Sequence, residues 1–193
     1  MRFMNFQYVK RYRMELNLLR WQYQTLRLPA GYRLVPWHPS LTSVHAEVKY
    51  LSFQGGVDAQ VFPCLGELEG CRRLMSEIKA KEGFVPEATW LVEYVGGGIH
   101  RTEYCATIQA VRIQKYKANV QNIGVLPDHR GRGLGTALIQ TSMLGLQQVG
   151  ITQVGLEVTA ENHGAVKLYR QLGFRMVRTL YKSVELAYSA SAR

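Results

Sequence analysis

The chain has 193 residues, of which 47% are apolar and 20% charged, with a formal net charge of +10. This balance is ordinary for a globular fold and the length suits one sizeable core, so one domain with a terminal extension is expected. No apolar run approaches the ~20 residues needed to cross a bilayer. The basic start lacks a continuous apolar stretch and a small-residue cleavage site, so a cytoplasmic protein without a membrane partner is expected.

The charge is unevenly spread. Residues 1–33 carry seven Lys/Arg against one acid, residues 34–100 five against eight, and both remaining stretches are basic. Such basic surfaces attract polyanions, and the middle segment is the acidic exception. Cys64, Cys71 and Cys105 form no C-x-x-C pair, and the histidines stand at no ligand-like interval from them. Reduced, mostly buried thiols and no metal site are therefore expected.

In chain order, residues 5–28 space Phe6, Val9, Leu16, Leu19, Tyr23 and Leu26 three, four or seven apart, with Lys10, Arg11, Arg13 and Arg20 interleaved. This predicts a basic amphipathic helix that stops before Pro29 and packs on the domain or on a second copy, making a homodimer conceivable. The expected division is a helical extension over 1–30, a domain over 31–188 and a flexible tail over 189–193. "GYRLVPW" reads as a strand. Pro39-Ser40 opens a helix with Leu41, Val44, Val48 and Leu51 on one face, and a glycine-bearing loop follows. Leu65, Leu68, Cys71, Leu74, Met75 and Ile78 mark a second amphipathic helix. "TWLVEYV" and "YCATIQAVRI" read as a hairpin across Gly96-Gly97-Gly98, and "VQNIGVL" as a third strand. A helix over Leu134–Val149, the strand "TQVGLEV", a helix in "NHGAVKLYRQL" and the strands "FRMVRTL" and "KSVEL" complete a mixed α/β order.

The stretch "VLPDHRGRGLGTAL" joins a strand to a helix through three glycines and two arginines. A helix start leaves backbone N–H groups unpartnered and carries about half a positive charge, which makes it an anion site. Gly131, Gly133 and Gly135 allow the backbone to curl around phosphate oxygens, and Arg130 and Arg132 supply charge. The dinucleotide pattern G-x-G-x-x-G is disfavoured, because Thr136 and Leu138 stand where its third glycine belongs, although Glu157 suits a ribose contact. The P-loop pattern fails, since no G-K-[ST] occurs.

With Val125, Arg130, Gly133 and Gly135 in place, this stretch resembles the acetyl-coenzyme-A signature [RQ]-x-x-G-x-[GA] of the GNAT superfamily of N-acetyltransferases. "LEVTAENHGAVKLYRQLGF" resembles that superfamily's second element through Asn162, Ala165, Leu168-Tyr169 and Gly173-Phe174. The resemblance covers about residues 31–186. It implies a GNAT-like acyl-CoA N-acyltransferase fold, α/β (α+β) in class, with a mixed sheet of about six to seven strands, and acetyl-CoA as cosubstrate. Ile123, Gly124 and Val125 would hydrogen-bond pantetheine, and the loop Arg130, Gly131, Arg132, Gly133, Leu134, Gly135 and Thr136 would hold the diphosphate. Asn162 would contact the pantetheine arm, and Tyr169 would direct its hydroxyl to the thioester sulfur as the acid.

For the base, Glu157 comes first. The ribosomal-protein N-terminal acetyltransferases of the superfamily place a glutamate and tyrosine at the same separation. Glu93 and Glu103 are alternatives through a water. The strand "VQNIGVL" lacks the acid that many relatives carry, and Asn122 cannot take a proton at neutral pH. The acidic segment and the hairpin loop, about 40–82 and 96–103, would select the acceptor. A cationic small molecule or basic peptide fits the charge, while Trp37, His38, His45, Trp90 and His100 suit an aromatic amine. A non-catalytic acyl-CoA sensor is the alternative, and a nucleic-acid adaptor built on residues 1–33 is disfavoured.

Overall fold

A computed structural model describes residues 6–24, 27–96 and 102–185. The elements are β1 Phe6–Asn17, β2 Tyr32–Pro36, α1 Thr42–Phe53, α2 Val57–Val61, α3 Leu68–Ala80, β3 Trp90–Tyr94, β4 Glu103–Gln114, β5 Lys117–Val125, α4 Leu134–Gln148, β6 Gln153–Thr159, α5 His163–Gln171 and β7 Arg175–Glu185. The strands form one seven-stranded sheet in the order β2-β3-β4-β5-β6-β1-β7. Every neighbouring pair is antiparallel except β5 and β6.

Helices cover both faces of this sheet. Strand residues alternate between faces, and on β4 the residues Ala106, Ile108 and Ala110 enter the main core with Leu134, Leu138 and Ile139 of α4. Thr107 and Gln109, on the other face, meet His45 of α1. A second apolar cluster, Ala46, Leu65, Cys71 and Met75, joins α1 to α3. Among the described residues, no helix is long and apolar enough to cross a membrane.

The N-terminal helix expected over 5–28 is not formed; residues 6–17 are a strand inside the sheet. "FQYVKRYRMELN" also alternates with period two, and Tyr12, Met14 and Leu16 fall on one side of it. Met14 is fully buried and Leu16 nearly so, whereas Leu19 of the expected helical stripe is exposed. β1 pairs with β6 from Arg11↔Thr159 to Asn17↔Gln153, and with β7 along its other edge. Two rows of backbone hydrogen bonds therefore outweigh the weak helical periodicity. This strand joins the body of the sheet, and of the expected helical stripe Leu16 is buried while Phe6, Leu19 and Tyr23 are exposed.

Other expectations shift less. "FRMVRTL" and "KSVEL" form the single strand β7, and the glycine-bearing loop holds the short helix α2. β3 and β4 are antiparallel neighbours as expected; residues 97–101 of their connection and the tail 189–193 lie outside the described residues. In α1 the inward face carries His45, Val48, Lys49 and Ser52, while Leu51 of the predicted stripe points outward.

Removing residues 1–17 should abolish cooperative folding, because two strands lose their partner at once and the loss exceeds a typical domain stability of ~5–15 kcal/mol. Far-UV circular dichroism on heating checks this. A truncated chain that melts in one transition near the parent would mean that β1 is dispensable.

Candidate active site

The site begins where β5 and β6 stop pairing. They share only Lys117↔Gln153, Ala118↔Val154 and Asn119↔Gly155. Farther along, β5 is held by β4 and β6 by β1 on their outer edges. Gln109 faces Asn122 and Ala110 faces Val120, so Gln121 is the extra residue of a β-bulge that bends β5 at the parting point. Two facing strand edges with free backbone groups border the gap, a geometry that takes an extended amide chain as an added strand. A cavity of about 390 Å³ occupies it, lined among others by Ile123, Asn122, Glu157, Asn162 and Tyr169.

One wall is charged, and β1 supplies half of it. The register sets Arg11 opposite Thr159, Arg13 opposite Glu157 and Glu15 opposite Gly155, all on one face. Gly155 leaves room for the Arg13 guanidinium, since an added Cβ would overlap it. Arg13 donates to Asn119 Oδ1 at 2.7 Å. Arg11 donates to Glu157 Oε2 at 3.0 Å and lies over the Phe62 ring, 4.5 Å from its centroid. Sequence reading treated both arginines as helix-surface charge and missed them as part of the site. Their alternation with Tyr12 and Met14 was the available signal.

Tyr169 reaches the cavity from α5, which is fixed at both ends. Asn162 caps the first turn, its Oδ1 accepting from the Ala165 N–H at 3.2 Å. Gly173, at φ +95°, closes the last turn, where Gly173 N donates to Arg170 O and Phe174 N to Tyr169 O. Phe174 then packs against the Tyr169 ring at 5.9 Å. The motif spacing Asn162, Tyr169, Gly173-Phe174 is thus the spacing of a capped helix holding one phenol. Burial lifts the Tyr169 hydroxyl well above the usual tyrosine range, and the Asp58 carboxylate adds to the shift. Asp58, from α2, accepts from Thr159 Oγ1 at 2.7 Å and from Asn162 Nδ2 at 3.1 Å. Sequence reading passed over Asp58 inside a loop.

At the far end of β5 lies the glycine turn. Gly131 and Gly133 have φ of +74° and +79°, which only glycine adopts without strain, and a Cβ on either would point into open space. α4 starts at Leu134 with no side-chain cap and no acid in its first turn, so its first amides are free for an anion. Leu134 is buried in the core, Gly135 packs against Leu168, and Thr136 is half-buried. Arg130 binds the main chain: Nε donates to Val125 O at 3.0 Å and Nη2 to Ser52 O at 2.8 Å. Arg132 reaches Asp128 O at 3.5 Å and is otherwise exposed. Gly124 lets α1 close onto β5, because a Cβ there would lie 2.6 Å from Ser52 Cβ. Of Ile123, Gly124 and Val125, Ile123 lines the cavity.

Several candidates lie elsewhere. Glu93 is buried against Arg33, and Glu103 faces His129 Nε2 at 3.2 Å; neither lines the cavity. His45 is buried against Thr107 and Trp37, His38 bonds Ser40, and Trp90 donates to Glu87 O. His100 lies outside the described residues. Asn122 accepts from Lys49 Nζ at 3.0 Å. Burial lowers the Lys49 pKa to about 7, with Cys71 and Cys64 opposing the shift. All three cysteines are free thiols.

A mixed sheet that parts beside a glycine-lined helix start, with a buried phenol in the gap, is the architecture of acyl-CoA N-acyltransferases. The sequence profile of the Acetyltransferase (GNAT) family matches residues 67–174, more than half of the chain, and the chain belongs to this family. It is 41% identical over 80 residues to an N-alpha-acetyltransferase of Sulfurisphaera tokodaii, covering 39% of this chain and 48% of that protein. In fold it is similar to a GCN5-related N-acetyltransferase from Sphaerobacter thermophilus, with a TM-score of 0.68 at 21% identity over 94% of this chain and 52% of that one. It is also similar to the ribosomal-protein-S18-alanine N-acetyltransferase from Escherichia coli, with a TM-score of 0.57 at 16% identity over 83% and 97%. The chain thus spans about half the length of the first two proteins.

Lys49 gives a test of the buried face. Its folded pKa of about 7 lies below the ordinary 10.5, so between these values the unfolded chain binds more protons and stability rises with pH. Below that window the lysine is charged in both states and its burial cost is fully expressed. Lys49→Met should therefore be stabilising relative to the parent at about pH 6, with the difference shrinking by up to ~1.4 kcal/mol per pH unit above neutrality. Urea unfolding across this range checks the slope.

Proposed function

We propose that the chain is an N-acetyltransferase that moves an acetyl group from acetyl-CoA to an amine by direct attack in a ternary complex. The observation that carries this reading is the Tyr169 phenol, kept protonated by burial and opening into the cavity between the parted strands. The glycine turn fits the cosubstrate: space stands open beside Gly131 and Gly133, and no acid lies in the first turn of α4. The amides from Gly131 to Thr136, with Arg132, would bind the diphosphate. Arg130, tied to Val125 O and Ser52 O, would hold the turn in shape and lend its charge. The edge of β5 across Ile123, Gly124 and Val125 would take the pantetheine amides through Ile123 and Val125, with Asn162 beside the arm.

Acetyl-CoA supplies an activated acyl group, and the side chains move the protons. The acceptor enters as an ammonium and gives one proton to Glu157, whose second oxygen has no partner among the described residues. The freed lone pair forms the C–N bond, and the C–S bond breaks with its electron pair on sulfur. Tyr169 gives its proton to that sulfur, and its phenolate then receives the remaining surplus proton from nitrogen. Glu157 returns its proton to solvent, so each turnover yields an N-acetyl product, free thiol and one proton. The relatives named for peptide N-terminal and ribosomal-protein acetylation support an α-amine acceptor, whose ammonium gives up its proton more readily than that of a lysine side chain.

Thiol release with alkylamines, spermidine, an aminoglycoside and free-N-terminus peptides tests this. Binding of acetyl-CoA without turnover on any amine would instead support a sensor. Tyr169→Phe should lower kcat by ~10²-fold or more with acetyl-CoA affinity unchanged. Gly133→Val should abolish acetyl-CoA binding in calorimetry, because it strains a left-handed backbone and fills the turn.

A further inference from the structure

Asp58 is the cleft charge that this chemistry leaves unused. Both of its oxygens accept hydrogen bonds from neutral donors, Thr159 Oγ1 and Asn162 Nδ2. Among the described residues it pairs with no lysine, arginine or histidine. The cations of the same wall are matched, Arg11 with Glu157 and Arg13 with Glu15. Asp58 lines the same cavity as Glu157 and Tyr169, and its charge is felt at the Tyr169 phenol. A partly desolvated carboxylate held only by neutral dipoles gains most from a cation that brings its own N–H donors. Thr159 and Asn162 occupy one lone pair on each oxygen, which fixes the plane of the group and leaves the other lone pairs for such a donor.

We propose that Asp58 anchors the acceptor. Its carboxylate accepts an N–H of a primary ammonium in the cleft, favours that cation over neutral nucleophiles, and turns the nitrogen so that proton transfer to Glu157 directs the lone pair at the thioester carbon. Thr159 and Asn162 position the anchor. The substrate class is a primary amine that is cationic at neutral pH and has no negative group beside the nitrogen. This inference rests on the acetyl-transfer reading above and assigns the acceptor end of the same site. It also gives α2 a role: five residues set one carboxylate against the splayed strands.

Two measurements test it. Steady-state kinetics on n-butylamine, spermidine and a peptide with a free N-terminus should show the KM for each amine that the parent acetylates raised about tenfold or more in Asp58→Asn, the loss expected for one charge-assisted hydrogen bond. The KM for acetyl-CoA should be unchanged, and kcat should fall far less than in Glu157→Gln. Asp58→Glu keeps the charge and should recover part of the amine affinity, which separates an anchor from a residue that only supports folding. Calorimetric titration of n-butylamine onto the enzyme saturated with coenzyme A needs no turnover. Its affinity should fall about tenfold in Asp58→Asn and recover in part in Asp58→Glu, while Glu157, Arg11, Arg13 and Cys64 also face the cleft in every variant. An unaltered amine KM in an active Asp58→Asn enzyme overturns the anchor and leaves the transferase reading standing. A parent chain that binds acetyl-CoA but acetylates neither amine nor any peptide overturns the transferase reading, while the calorimetry still reports whether Asp58 binds an ammonium.

Discussion

The structure turns on a three-residue parallel ladder. β5 and β6 are tied together at residues 117–119 and 153–155 and nowhere farther along. Both strands continue, because each has a full partner on its outer edge. A sheet that kept pairing would have no room for a ligand between its strands, and one that never paired would not fix the strands' spacing. The bulge at Gln121 and the bare Cα of Gly155 sit at this boundary, one bending β5 and the other admitting Arg13. Every group assigned to chemistry or recognition is placed by that divergence.

Charge is divided between the two borders of the gap. The glycine turn after β5 offers amide dipoles and no acid, which suits phosphate. Tyr169 lines the cavity and is buried enough to stay protonated. Arg11, Arg13, Glu157 and Asp58 line the cavity from the β6 side, and of the two carboxylates Asp58 has no cationic partner among the described residues. In the proposed reading, anion binding at the turn and ammonium binding at Asp58 would bring two dissimilar substrates together in this one cavity.

Much of this was legible in the residues. Three glycines between a strand and an apolar helix have few structural readings, so the turn at 131–135 was visible as a turn, and the spacing Asn162–Gly173 as a capped helix carrying Tyr169. The strand order from Tyr32 onward followed from period-two runs. The N-terminal strand did not, because "FQYVKRYRMELN" fits two periods and its partners lie far away in sequence. Pairing energy from β6 and β7 decides between the periods, and no local window contains it. Asp58 was hidden for another reason: six residues between Gly56 and Pro63 carry no periodicity, and its contacts arise only when α2 folds against Thr159 and Asn162. The inward face of α1 misled in a third way, since His45 and Lys49 are polar yet buried against Thr107, Gln109 and Asn122.

The position of β1 also bears on how the molecule comes together. Arg11 meets Glu157 across 146 positions of chain, so the strand must wait, extended and amphipathic, until α5 and its flanking strands exist to receive it. Closure of such a long loop costs entropy before any contact repays it, which favours a late docking step. Until then the cleft lacks its guanidinium wall and the gap stays a loose seam. Completion of the cleft is in this way tied to completion of the sheet, and a partly assembled chain carries the glycine turn without the β1 wall.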